Sequence, residues 1–160
     1  TAHVQGKMNL LARKYQPVAS LFGGEIDYAG DLTLTESNSL KVSEIRLETK
    51  TGTLIADGSL DLSQGGLDGS WRFSVPKLAV FSTALKSDMD GLFHAEGKVK
   101  GVPGKLTLTA RAVIQDFLFQ GHRFADAKAT VHARETPSGG AGDLSVELRQ
   151  IFIIHWYFPN

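Results

Sequence analysis

Residues 52–75 read GTLIADGSLDLSQGGLDGSWRFSV, and this stretch decides the fold class. Within residues 52–62 every second residue is apolar or small, with polar side chains such as Asp57 between them. Residues 64–66 then break the run with turn-forming residues, and the alternation resumes over residues 67–75. A period of two is typical of a strand with one buried face and one solvated face. The stretch therefore predicts an antiparallel hairpin, and it contains no catalytic motif.

The two halves of this hairpin are also similar in sequence, because DGSLDLS at residues 57–63 aligns with DGSWRFS at residues 68–74. The sequence AEGKV at residues 95–99 repeats ADGSL at residues 56–60, and residues 29–32 repeat it more faintly. Loose repeats of hairpins are typical of elongated arrays in which each unit covers its neighbour.

The remaining chain shows the same alternation between turn signals. Further strands are predicted over residues 2–10, 22–34, 40–50, 93–99, 106–119, 125–133 and 144–148, with turns near 36–39, 88–91, 101–104, 121–122 and 138–140. The apolar phase slips between Val42 and Ile45 and again near Val113, as it does at a β-bulge. After Pro76 the apolar spacing lengthens and predicts one short helix near 78–85. The expected fold is all-β, with about ten strands.

Composition narrows the classes of function. The chain has 160 residues with 17 basic and 17 acidic side chains, whereas a sequence-independent nucleic-acid binder normally carries a basic excess. The absence of cysteine excludes disulfides and a cysteine-based zinc site. No apolar run approaches the roughly 20 residues that a membrane-spanning helix needs.

The sequence offers no catalytic constellation. The histidines lack metal-ligand spacing; they are His3, His94, His122, His132 and His155. We expect His94 and His132 on the polar side of their strands and His122 in a turn. Nucleophile-elbow, phosphate-loop and dinucleotide motifs are also missing. Asp61 and Asp68 can face each other across the hairpin, but no third polar group converges on them. We therefore expect no catalytic residue, no metal, no cofactor and no enzymatic activity.

Several motifs resemble the middle of TamB-like proteins, relatives of the AsmA family among bacterial translocation and assembly modules. They are the Ala-(Asp/Glu)-Gly-x-(Leu/Val) strands, LDGSWRF at residues 67–73, PKLAVF at residues 76–81 and GKVKGVPGKLTL at residues 97–108. The resemblance covers residues 22–149 and lies in the spacing of the alternating residues and turns.

The resemblance implies an elongated, curled antiparallel sheet that forms an open gutter. It implies a non-enzymatic segment of a periplasmic, inner-membrane-anchored parent protein of a Gram-negative bacterium, which passes phospholipid acyl chains along the gutter and assists outer-membrane biogenesis. It also implies a BamA-like outer-membrane partner, bound through parts of the parent that this sequence does not contain, so that neither anchor nor partner docking falls on any residue here.

The alternating apolar positions are the candidate lipid-groove residues. They are Ile26, Tyr28, Leu32, Leu54, Leu60, Leu62, Trp71, Phe73, Val75, Phe93, Val99, Leu106, Leu108, Val131, Leu144 and Val146. We expect Leu54, Leu60, Trp71, Phe73 and Val99 on the concave side, and a row of Leu60, Phe73, Val99 and Leu108 across strands. Small residues on this face, namely Gly30, Gly58, Gly69, Gly97 and the alanines of 125–133, are expected to leave room for a guest.

Other interpretations of the same pattern stay open. The apolar face is also compatible with the closed core of a sandwich, in which the glycines mark bends or close backbone approaches. An alternative function is a structural or adhesive solenoid or sandwich segment of an exported protein. A third is a fragment of an outer-membrane barrel, although the aromatic residues do not form girdles at strand ends.

The chain divides into two parts by composition. Residues 1–150 are predicted to form a single β-repeat segment, and the strand rhythm at Thr1–His3 indicates a fragment of a longer rod. Residues 151–160 contain no Asp, Glu, Lys or Arg, and they are rich in apolar and aromatic residues. They are either a final buried strand or a lipid-facing edge, or else a tail foreign to the family, and the foreign tail is the expectation here.

Overall fold

The protein is described from a computed structural model, which covers residues 1–9, 24–136 and 139–150. Within these ranges nine strands form one sheet. The strands are β1 (Ala2–Asn9), β2 (Glu25–Leu34), β3 (Ser39–Glu48), β4 (Thr53–Asp61), β5 (Leu67–Val75), β6 (Met89–Gly101), β7 (Thr107–Phe119), β8 (His122–Thr136) and β9 (Gly139–Gln150). The prediction for residues 151–160 lies outside the described residues.

The sheet is an uninterrupted antiparallel meander. Its strand order is β1 to β9 in sequence, so that every strand pairs with the next one along the chain. The sheet does not close, and β1 and β9 form its two edges. The predicted all-β class and open antiparallel sheet are confirmed, with nine strands in the described ranges where about ten were expected.

The predicted helix near 78–85 is confirmed as a 3-10 turn at Leu78–Phe81, followed by the single helical turn α1 (Ser82–Leu85). The hydroxyl of Ser82 donates to the Met89 carbonyl at 3.0 Å and accepts the Met89 N–H at 3.2 Å, which ties the helical segment to the start of β6. Leu78 is 6% exposed and Val75, at the end of β5, is 1% exposed. This end of the sheet therefore holds the best-buried apolar side chains.

The predicted phase slip in β3 is a β-bulge. The register of β3 against β4 shifts between Val42 and Ile45, and Glu44 adopts a φ of 51°. The Glu44 N–H donates to the Asp57 carboxylate at 2.9 Å, which satisfies a backbone donor that the bulge removes from the ladder. The bulge returns Ile45 to the face that Val42 occupies.

The second slip was predicted at the wrong place. Val113 continues the regular register, opposite His94 and Lys128, and the irregularity lies at Gly91 and Asp116, with φ values of 131° and 50°. The prediction failed because Val113 is an apolar residue on the polar face, and next to Ala112 and Ile114 it makes the alternating pattern look shifted by one residue.

Two predicted turns are also corrected. Residues 88–91 were expected to form a loop, but β6 begins at Met89, which pairs with Phe119 of β7. His122 was placed in a turn, but it begins β8 opposite the same Phe119. Both strands are longer than their alternating cores because aromatic residues of β7 continue the pairing beyond the bulge.

Close packing explains two of the glycines that were expected to leave space for a guest. A Cβ at Gly97 would lie 2.7 Å from the ring of Trp71 and 2.7 Å from the Thr109 carbonyl oxygen. A Cβ at Gly30 would lie 2.5 Å from the side chain of Ile45. Gly97 and Gly30 are therefore covered by Trp71 and Ile45, and this expectation is wrong for both positions.

Asp126 is the buried charged residue of the described sheet, with 7% exposure. The Arg149 side chain donates to Asp126 Oδ2 from both Nε, at 2.9 Å, and a terminal nitrogen, and Lys128 Nζ lies 3.6 Å from Oδ1. The hydrogen bonds from Arg149 lower the pKa of Asp126 more than burial raises it. The pair joins β8 to the edge strand β9.

We expect Asp126→Asn to destabilise the protein at neutral pH, with the effect disappearing in acid. A lowered folded-state pKa makes ionised Asp126 stabilising above the ordinary value of about 3.9, and this contribution is lost as the pH falls through the lower folded value. Urea unfolding at pH 7 and near pH 3 measures the difference between variant and parent. A difference in midpoint that stays constant between the two pH values contradicts the assignment.

We expect Gly97→Ala to lower the free energy of unfolding by roughly 1–3 kcal/mol, because the added methyl group meets the Thr109 backbone, which cannot move without disturbing the ladder. Gly66→Ala is the matched control, since the nearest atom to its Cβ is Asp61 Cβ at 3.5 Å, an ordinary contact. Urea denaturation compares the two. Equal midpoints for both variants would argue against the close approach of Trp71 and Thr109 to Gly97.

Candidate functional site

One face of the sheet is apolar from edge to edge, because the register keeps the alternating residues of neighbouring strands in phase. Residues that pair directly across antiparallel strands project on the same side. One row crosses all nine strands as Gly6, Tyr28, Leu47, Leu54, Phe73, Ala95, Ala112, Ala129 and Val146. A second row is Ala2, Leu32, Val42, Gly58, Gly69, Val99, Leu108, Ala133 and Gly142. We call this surface the apolar face.

The candidate lipid-groove residues lie on the apolar face, with two exceptions. Leu54, Leu60, Trp71, Phe73 and Val99, which were expected together, share it. The other strand members are Ile26, Tyr28, Leu32, Val75, Phe93, Leu108, Val131, Leu144 and Val146.

Leu62 and Leu106 are the two exceptions, since both lie just outside the strands. Leu62 follows β4 in the turn and is 48% exposed. Leu106 precedes β7, where its carbonyl oxygen accepts the Glu135 N–H at 2.7 Å.

The predicted row of Leu60, Phe73, Val99 and Leu108 is corrected. Val99 and Leu108 are direct partners, but Leu60 pairs with Leu67, and Phe73 pairs with Leu54 and Ala95. Leu60, Phe73 and the Val99–Leu108 pair therefore belong to three different rows. The register of the central hairpin depends on its turn, and the alternation alone does not determine it.

A strip of small side chains runs through the middle of the apolar face on β6, β7 and β8. Ala95, Ala112 and Ala129 pair in succession, and Ala110 lies beside them on β7. Each of these side chains rises one carbon above the backbone. The larger residues around the strip are Trp71, Phe73, Phe93, Ile114, Val99, Leu108, Val131 and Val146. The strip is therefore the part of the apolar face with the smallest side chains on three neighbouring strands, and we call it the alanine strip.

Sequence reasoning left several members of the apolar face out of the candidate set. They are Val4, Met8, Leu34, Leu40, Val42, Ile45, Leu47, Leu67, Ile114 and Leu148. The β3 members were hidden by the bulge, and Ile114 by the slip that was expected beside it. Their period-two spacing in each strand was the available signal.

The opposite face is polar and carries pairs of opposite charge. Lys7 Nζ lies 2.8 Å from Glu25 and 3.4 Å from Asp27, and these contacts raise the pKa of Lys7, with the hydrogen bond to Glu25 as the largest cause. Lys100 Nζ lies 3.1 Å from Asp68. A shallow groove of about 440 Å³ on this face has the charged residues Asp57, Arg72, Glu96, Lys98 and Arg111 on its walls. Cations and acids alternate in it, so that the groove has no strong single sign.

The carboxylates that were considered as a pair do not meet. Asp68 lies opposite Ser59, whereas Asp61 stands at the end of β4. Asp61 accepts hydrogen bonds from the Ser63 hydroxyl at 2.5 Å, the Ser63 N–H at 2.8 Å and the Gln64 N–H at 3.2 Å. These bonds lower the pKa of Asp61, with the Ser63 hydroxyl as the largest cause. Asp61 therefore stabilises the hairpin turn through these hydrogen bonds.

The histidines lie apart on the sheet. His94 and His132 are on the polar face, as predicted, and His94 Nδ1 lies 2.9 Å from the Ser74 hydroxyl. His3 Nδ1 lies 2.9 Å from Asp31. Across residues 1–9, 24–136 and 139–150 there is no group of three or more histidines and acids that could hold a metal ion. His155 lies outside those ranges.

In the described part of the chain, no helix has the length and apolar character needed to cross a membrane. The chain was compared with protein-family models, with curated proteins and with solved structures, and none of them matches.

Proposed function

We propose that this chain is a non-enzymatic segment of a TamB-like, AsmA-related protein that carries phospholipid acyl chains along its apolar face in the periplasm of a Gram-negative bacterium. The observation that supports this most is the continuity of the apolar face, two of whose rows cross all nine described strands without a charged residue. A BamA-like partner belongs to the same proposal, through other parts of the parent protein.

The dimensions of the apolar face suit an acyl chain. Nine strands spaced about 4.8 Å apart extend for roughly 38 Å, which exceeds the roughly 15 Å that one leaflet occupies in a 30 Å hydrocarbon layer. An acyl chain lying across the strands contacts apolar side chains at every step. Such contact is favourable by about 25 cal/mol for each Å² of apolar surface removed from water.

The apolar face is exposed enough that an acyl chain covering it would remove further apolar surface from water. Leu54, Phe73 and Val99 are half-buried although they belong to central strands, since the described strands form one sheet with no second sheet over it. In a closed sandwich the same residues would be fully buried by side chains of the opposite layer. The alanine strip adds a site where a guest approaches the sheet closely.

The polar face supports the same assignment. Its charged side chains, including Lys7, Asp68 and Lys100, form ion pairs in water and keep that side of the sheet solvated. The sheet is therefore amphipathic across its thickness, which suits a scaffold that presents one surface to lipid and the other to the periplasm.

The first test adds one arginine to each face. Leu54→Arg places an unpaired cation in the row that crosses all nine strands, whereas Thr53→Arg places it on the polar face opposite Glu48. Both residues are half-buried neighbours on β4. We expect Leu54→Arg to reduce covalent labelling by a phosphatidylcholine with a diazirine in one acyl chain by about tenfold, and Thr53→Arg to leave it unchanged, because an acyl chain that covers the introduced cation removes its water without offering a partner for the charge.

Asp61→Arg, which looks like a silent outer-face control in the sequence, is unsuitable because Asp61 holds the turn. Circular dichroism establishes that the two variants keep their β-sheet. Equal labelling of folded Leu54→Arg and Thr53→Arg contradicts the proposal and favours a structural or adhesive role.

The second test fills the alanine strip without adding charge. We expect Ala112→Phe to reduce labelling severalfold, since the ring would cover the strip between Ala95 and Ala129. Val113→Phe, on the next residue and the opposite face, is the control and should label like the parent protein. Unchanged labelling of a folded Ala112→Phe shows that acyl chains do not use the strip. This variant also keeps the proposal testable if Leu54→Arg unfolds.

A further inference from the structure

The helical segment, residues 78–85, lies on the apolar side of the sheet. Val75, which pairs with Phe93 on the apolar face, is 1% exposed, and Leu78 at the start of the segment is 6% exposed. The Ser82 hydroxyl bonds the carbonyl and the N–H of Met89, which fixes the segment to β6. The helical segment therefore borders the surface on which acyl chains are proposed to lie.

The helical segment exposes apolar side chains between two lysines. Val80 and Leu85 are 48% and 54% exposed. Lys77 precedes the segment and Lys86 follows it, and both are exposed. Neither lysine forms an ion pair within the described part of the chain, and residues 76–87 contain no Asp or Glu. The segment therefore combines free apolar surface with positive charge that no neighbouring acid in the sequence compensates.

The other described connections between strands lack this combination. Lys105 lies in a turn with the Glu135 carboxylate, which accepts backbone N–H groups of the same turn. Leu62 is exposed beside the acid Asp61, and Lys50 lies in a turn without a large apolar side chain. The connections compared are residues 35–38, 49–52, 62–66, 102–106 and 120–121.

A phospholipid on the apolar face needs a place for its phosphate group. Two rows of this face cross all nine described strands without a charged residue, so that they offer the phosphate no cation. An anion that apolar side chains cover loses its water without gaining a partner. Lysine is a common partner of phosphate groups, which it binds as a point charge. The favourable place for the phosphate is therefore a border of the apolar face that carries lysines.

We propose that Lys77 and Lys86 bind the phosphate groups of phospholipids whose acyl chains lie on the apolar face, with Val80 and Leu85 against the first methylene groups of those chains. This headgroup site deepens the proposed function and rests on it. Elements that present aliphatic side chains beside lysines bind at the boundary between lipid headgroups and acyl chains. The site favours phosphatidylglycerol over phosphatidylcholine, because the choline cation compensates the phosphate charge and repels the lysines.

Lipid competition on the full 160-residue chain tests the headgroup site. The probe is the phosphatidylcholine with a diazirine in one acyl chain, and the competitors are dihexanoyl phosphatidylglycerol and dihexanoyl phosphatidylcholine, both kept monomeric. We expect phosphatidylglycerol to halve the labelling at about one fifth of the concentration that phosphatidylcholine needs, in keeping with two exposed ion pairs. Lys77→Gln/Lys86→Gln should abolish this preference, whereas Lys77→Arg/Lys86→Arg, which retains the charges, should keep it.

Lys41→Gln/Lys98→Gln is the matched control. It removes the same charge from two exposed lysines on the polar face, which lie opposite Ser59 and Ser70 and form no ion pair within the described residues. This variant should keep the preference for phosphatidylglycerol, and circular dichroism establishes that all variants retain their β-sheet. Equal loss of the preference in both glutamine variants overturns the headgroup site, since the net charge of the chain then explains the result.

Failure of the headgroup site differs from failure of the proposed function. Labelling that both competitors reduce equally overturns the headgroup site and leaves the acyl-chain proposal standing. Absence of labelling in the native chain contradicts the acyl-chain proposal, and the headgroup site is then overturned with it.

A phosphatidylethanolamine with a diazirine on its headgroup gives an independent measurement of position. We expect mass spectrometry of the digested protein to find this label chiefly on residues 76–88, and the labelled fraction there to fall about fivefold in Lys77→Gln/Lys86→Gln. The connections at residues 62–66 and 102–106, at the opposite ends of the strands, should carry little label. Equal labelling of residues 76–88 and of these two connections overturns the headgroup site.

Discussion

The backbone ladder keeps nine strands in one phase, and the rest of the structure depends on that constraint. A slip of one residue in any strand would transfer its apolar side chains to the polar face. The described strands have no second sheet to correct such an error, because each strand contacts chiefly its two neighbours. The bulge at Glu44 shows how the chain absorbs an extra residue, since Asp57 of the next strand accepts the displaced N–H and Ile45 returns to the apolar face.

Burial is therefore unequal along the strands. At the end of β5, the helical segment covers Val75 through Leu78, and Phe73 meets Phe93 with ring centroids 5.9 Å apart. Elsewhere the apolar face is packed sideways only, so that most of its residues are half-buried and the large apolar residues of β9 are exposed. The free energy gained by burial scales with the apolar area removed from water. A ligand that covers a half-buried face therefore still removes apolar area from water, whereas the residues of a closed core have no such area left.

The sequence was sufficient for the central part of most strands and for their faces, because both follow from a period of two that each strand displays by itself, but it misplaced the slip in β7 and the first residues of β6 and β8. It was insufficient for the rows, since pairing across the central hairpin depends on the turn, which puts Leu67 opposite Leu60. It was also insufficient for Gly97, whose small size is explained by a tryptophan on another strand. The ion pair of Asp126 and Arg149 joins residues 23 apart, and nothing local in the sequence indicates it.

An apolar surface of this extent needs an occupant in water, because monomeric soluble proteins rarely expose contiguous apolar patches above a few hundred Å². The alternation supplies the surface, and the polar face cannot cover it from the other side of the same sheet. A guest with acyl chains would cover the alanine strip and the larger residues around it in the centre of the sheet. The row that contains Ala112 continues through Ala129 to Val146 on β9, so that the surface offered to such a guest extends to the last described strand.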